Sequence, residues 1–115
     1  MAHQDARRQI VRIKRQIAQV ELLGRGTLVE RTKVCGKPNC RCATDPSARH
    51  GPYYEWNRYV GGVLEHATVP PACVTDVRRA LDNHQRVLKL LARWERQSLL
   101  LILGPQALRH RKRKG

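Results

Sequence analysis

The sequence predicts an α+β fold: an N-terminal helix, a small three-stranded antiparallel sheet with a zinc-binding Cys loop, a long C-terminal helix and a basic tail. Three observations predict it. Apolar residues recur at helical spacing near both ends of the chain. Between them lie β-branched and aromatic runs broken by Gly-Gly and Gly/Pro pairs. Cys35, Cys40 and Cys42 fall close together, and His50 follows. At 115 residues the chain reads as one domain, 1–104, followed by a basic, disordered tail, 105–115.

The first helix spans Asp5 to about Leu23. Ile10, Ile13, Ile17 and Val20 form one apolar stripe, and Arg8, Arg12 and Arg15 lie opposite. Gly24-Arg25-Gly26 is the expected stop. Thr27 to Val34 is a β-branched strand, and the cysteine loop runs from Cys35 to about Gly51. Tyr53–Val60 and Val63–Val69 form a hairpin about Gly61-Gly62. Pairing outward from that turn sets Val60 against Val63, Arg58 against Glu65, Trp56 against Ala67 and Tyr54 against Val69. Tyr54 and Trp56 then share the mostly apolar face, and Tyr53 and Tyr59 the other.

After Pro70-Pro71 the pattern is helical from about Ala72 to Leu103, with Val74, Val77, Leu81, Leu88 and Leu91 on one side and Val87 and Trp94 at its edge. Arg78, Arg79, Arg86, Lys89, Arg93 and Arg96 share another sector, with Asp82 the main acid among them. Gly104-Pro105 ends the helix. The stripes allow the two helices to pair within the chain or across a homodimer.

Thiolate and imidazole are the ligands zinc prefers in a tetrahedral array. The spacing Cys-x4-Cys-x-Cys-x7-His is unlike a standard zinc finger, because its Cys-x-Cys element is tighter than Cys-x2-Cys. Cys35, Cys40, Cys42 and His50 are the expected ligands. Cys73 is the alternative fourth ligand, since the hairpin returns it toward the loop. Free thiols or a disulfide are the other uses of the cluster. Met1 to Gly24 is charged throughout and has no signal-peptide pattern, which favours a reducing cytoplasm and metal over disulfide. His66 and His84 are expected to pack or hydrogen-bond. No paired carboxylates, phosphate loop or Ser-His-Asp set is visible, so no catalytic residues are expected.

Charge sets the partner class. The chain carries 23 Lys/Arg against 9 Asp/Glu, a net charge of +14. Such basicity predicts a polyanion, and one-signed helix faces differ from the mixed charge of a solubilising surface. The expected contacts are Arg8, Arg12, Arg15, Arg41, Arg49, Tyr53, Arg78, Arg79, Arg86, Lys89, Arg93, Arg96, Arg111, Lys112, Arg113 and Lys114. Sequence preference would come from Arg41, Arg49 or Tyr53 at the loop. The longest apolar run, Leu99–Leu103, is too short to span a membrane.

The run Cys35-Gly36-Lys37-Pro38-Asn39-Cys40-Arg41-Cys42-Ala43, then His50-Gly51-Pro52-Tyr53-Tyr54 and Val60-Gly61-Gly62, resembles a family of short prokaryotic proteins known as a domain of unknown function. The resemblance extends from about Gly26 to Leu100. It implies the same helix, Cys-loop, hairpin, helix order and brings Cys35, Cys40, Cys42 and His50 as motif positions. It also implies a setting near mobile elements and recombinases, and no activity. The expectation is a non-enzymatic, zinc-stabilised, nucleoid-associated DNA-binding accessory protein, acting with a recombinase or transposase. The alternatives are an RNA-binding subunit of a ribonucleoprotein, and a protein-interaction module for a larger recombinase or nuclease.

Overall fold

The computed structural model describes residues 2–107. Its elements are α1 (Ala2–Ala18), β1 (Thr27–Lys33), β2 (His50–Val60), β3 (Val63–Val69) and α2 (Val74–Leu103), with short 3-10 turns at Arg41–Ala43, Pro46–Ala48, Pro71–Cys73 and Pro105–Ala107. No described helix is long and apolar enough to cross a membrane. Arg111, Lys112, Arg113 and Lys114 of the basic tail lie outside the described residues.

The residues divide into two compact units, 22–82 and a second made of 1–21 with 83–115. The first unit holds the sheet, whose order is β1-β2-β3. Both pairings are antiparallel. The hairpin register is the expected one: Tyr54 faces Val69, Trp56 faces Ala67, Arg58 faces Glu65 and Val60 faces Val63. Gly61 and Gly62 both take positive φ, 56° and 81°, as a two-residue hairpin turn requires. Arg58 donates to Glu65 at 3.1 Å. The apolar face is buried only at its open end, because Val63 near the turn remains 65% exposed.

That open end forms the core of this unit. Val69, Val74 and Val77 are buried, and Leu28, Tyr54, Trp56 and Leu81 pack on them. Each buried valine contributes about 1.5–3 kcal/mol. The Trp56 indole N–H donates to the Arg25 carbonyl at 2.8 Å, and its ring lies against Gly24. A Cβ at position 24 would come within 2.5 Å of that ring. Gly24→Ala is therefore expected to destabilise the protein by about 1–3 kcal/mol, the usual cost of overpacking. The check is a urea titration, and an unchanged midpoint would contradict the fit.

Two sequence expectations are corrected. Helix α1 ends at Ala18, not near Leu23. Its last turn tightens, with the Val20 N–H donating to the Ile17 carbonyl. The following chain is drawn out of the helix, where the Gly24 N–H donates to the Ala80 carbonyl at 3.1 Å. The second correction concerns α2. Leu88 and Leu91 are 47% and 40% exposed, whereas Leu90 is 4% exposed. Val87, Trp94 and Gln97 are half-buried beside Leu90 on the covered side. Leucines occur around much of this stretch, so composition could not choose among faces. In the second unit, Ala6 and Ile13 of α1 and Leu90 of α2 are the buried apolar residues among those described, and the Lys14 ammonium sits 5.9 Å from the Trp94 ring centre.

Candidate metal centre

The cysteine loop leaves β1 and returns to β2 with little apolar packing. Cys42 is the one buried residue from Val34 to Arg49. Local hydrogen bonds shape it instead. The Cys40 N–H donates to Lys37 O, and the Ala43 N–H to Cys40 O. The Asp45 carboxylate accepts from the Ser47 hydroxyl at 2.7 Å, the Ser47 N–H at 3.0 Å and Arg41 at 3.2 Å. The Ser47 donors, with Arg41 adding to them, hold the Asp45 carboxyl below its ordinary pKa.

His50 reaches this loop because β2 starts earlier than the sequence suggests. Lys33 pairs with His50, and a register shift separates that pair from Arg31–Tyr53. The extra residue lies at Gly51-Pro52. Pro52 has no N–H for a ladder bond, and Gly51 takes φ +126°. A bulge of this kind carries the residues beyond it to the other face, so His50 joins the side of Lys33 and Tyr53. The Gly-Pro pair was the sequence signal for this bulge.

Cys35, Cys40, Cys42 and His50 thereby converge, with their ligand atoms all within 4.8 Å of one another. The Cys35 and Cys42 sulfurs are 3.4 Å apart. Cys40 Sγ is 3.2 Å from His50 Nε2. Zinc bonds of about 2.0–2.3 Å in a tetrahedron place ligand atoms about 3.5–3.8 Å apart, so the group is close enough to hold one metal ion and is compatible with zinc. No other group of three or more potential Cys, His, Asp or Glu ligands occurs among the described residues. Cys73 is not part of it. It lies at the end of the Pro71–Cys73 turn, beside a small cleft lined by Leu22, Leu23 and Trp56.

The thiols differ electrostatically. The Cys42 N–H above all, then the Cys42 thiol and the His50 ring, hold the Cys40 thiol down at about 6. These contacts favour the Cys40 thiolate, the form a metal requires. The Cys35 N–H favours the Cys42 thiolate from 3.4 Å, but burial and the adjacent Cys40 and Cys35 sulfurs outweigh it and push the Cys42 thiol up.

The expected polyanion contacts are distributed over several elements. Arg8, Arg12 and Arg15 are exposed on α1, and Arg78, Arg79, Arg86, Lys89, Arg93 and Arg96 are exposed on α2. None of these forms an ion pair among the described residues. At the loop, Arg49 is exposed, whereas Arg41 is paired with Asp45. Tyr53 is 45% exposed, with the Lys33 ammonium 5.1 Å from its ring centre. Sequence reasoning missed the Lys33–Tyr53 contact, which follows from the β1–β2 register: Tyr53 faces Arg31, and Lys33 lies two residues along on the same side. His66 hydrogen-bonds as expected, to Asn57 at 2.7 Å and Glu55 at 2.9 Å.

Residues 3–79, about two thirds of the chain, match the family described as Domain of unknown function (DUF6788). No curated protein and no solved structure matches the chain.

Proposed function

The chain belongs to the DUF6788 family, and we propose that it is a non-enzymatic, zinc-stapled nucleic-acid-binding protein whose target is duplex DNA. The observation that carries this reading is the set of helix cations, from Arg8 to Arg96, that are exposed and have no acidic partner among the described residues. Exposed cations of one sign carry the charge that a phosphate backbone attracts. Zinc would bind Cys35, Cys40, Cys42 and His50. It would supply a fixed crosslink there, because three thiolates and one imidazole complete its shell and leave no open position. The service to a prokaryotic recombinase or transposase rests on the resemblance alone, and the cytoplasmic setting on the charged stretch from Met1 to Gly24.

Purified without added metal, the protein is expected to hold one zinc per chain by elemental analysis. A ratio near zero with every thiol titratable would remove the staple from this reading. Fluorescence anisotropy with a labelled duplex tests the charge. Binding at low salt that unlabelled duplex competes away is expected. Competition by structured RNA alone would transfer the reading to RNA, and absence of binding to either would end it.

A further inference from the structure

We propose that the exposed face of α1 reads base edges in the major groove of duplex DNA, with Arg8 and Arg12 contacting guanine and Val11 a thymine methyl group. This rests on the DNA-binding reading and assigns the part of the protein that selects sequence.

Three observations carry it. First, α1 is held by a narrow seam. Among its residues whose burial is described only Ala6 and Ile13 are buried, and Gln4, Arg7, Arg8, Val11, Arg12, Lys14, Arg15 and Ala18 are exposed. A helix can enter a groove about 12 Å wide only if its flanks are free as well as its outer face.

Second, the outer face carries the chemistry of base recognition. At ~100° per residue, Gln4, Arg8, Val11, Arg12 and Arg15 fall within about 100° of arc. Arginine forks match guanine, glutamine matches adenine, and an apolar group matches the thymine methyl. Val11 is 45% exposed and lies in a shallow hollow with Arg7, Arg8, Arg12 and Arg15. Val11 is the apolar member of that arginine-lined hollow. Arg8 to Arg15 spans ~10 Å of helix, about three base-pair steps. Asp5 is the one acid in α1.

Third, two of the three loop residues expected to read sequence are engaged locally, and Arg49 alone remains exposed there. Arg41 is bound to Asp45, and a Lys33 ammonium covers Tyr53.

The test is selection from duplexes randomised over about one helical turn, ten base pairs, followed by sequencing. The parent protein is expected to enrich a guanine-containing motif by about tenfold or more. The Arg8→Lys, Arg12→Lys variant keeps charge but loses the bidentate fork. Its affinity for random duplex and its salt dependence should stay within about twofold of the parent, because the phosphate charge count is unchanged, and its guanine preference should fall about tenfold. Val11→Ala should relax preference at one thymine position only. Helical signal and zinc content are measured alongside; since all three positions are exposed, both should be unchanged. If the parent binds duplex without preference, or the lysine variant keeps the parent motif, α1 is not the reader and DNA binding stands without it. If the parent binds no duplex, the functional reading fails and takes this assignment with it.

Discussion

Cys42→Ser is expected to release zinc and lower the thermal midpoint by on the order of 20 °C. Cys42 is the one buried residue of its loop, and its sulfur lies 3.4 Å from that of Cys35. The segment from Val34 to Arg49 has almost no apolar anchor of its own, and without a crosslink its entropy is opposed only by local hydrogen bonds. Structural zinc contributes folding free energy outright. A loss of several kcal/mol corresponds to a shift of this size in a domain of roughly one hundred residues. The loss should be local at first. The helices of the second unit, 1–21 with 83–115, should retain part of the helical signal, because regions of one protein open with different free energies. The measurement is circular dichroism melting of parent, chelator-treated parent and variant. The last two should coincide. Cys73→Ser, outside the cluster, should melt with the parent. A Cys42→Ser protein with the parent's midpoint would show that the site is no staple.

Replacing Arg86, Lys89 and Arg93 by Gln is expected to flatten the log–log salt dependence of duplex binding by about two to three units, since each phosphate contact contributes about −0.9. All three side chains are exposed and lie within about a third of the helix circumference. They can therefore follow a phosphate backbone together. Neutral glutamines keep the helix, so melting should change little. The affinity loss should be alike on every sequence, unlike that of the α1 variants. Salt titrations of parent and variant on duplex DNA and structured RNA read both quantities. An unchanged slope on both would assign this row to solvent or to a protein interface.

The hairpin and its register were legible in the sequence because a Gly-Gly turn and a two-residue alternation are local properties of the chain. The four ligand positions were legible for a similar reason. Three thiols within eight residues constrain one another through a short tether, and a shell of three sulfurs asks for one more donor nearby. The shorter tether favoured His50 over Cys73 in the sequence, and the strand pairing shows how it reaches the loop. Lys33 opposite His50 brings the imidazole beside the loop, and the bulge at Gly51-Pro52 turns it to the correct side.

By itself the sequence determined the order of elements, the hairpin pairing, the candidate ligand group and the excess of cations, all of which follow from spacing and side-chain type. The tertiary structure alone decided where α1 stops, which side of α2 is covered after residue 82, and which of the described cations pair with an acid. Val20 to Leu23 continue a helical pattern, yet the chain there leaves the helix, where the Gly24 N–H finds the Ala80 carbonyl and the Trp56 ring lies against Gly24. Leu88, Leu90 and Leu91 are equivalent as residues, yet only Leu90 is buried. Burial and pairing depend on what lies across from a residue in space, and a periodic pattern records only which faces are able to be covered.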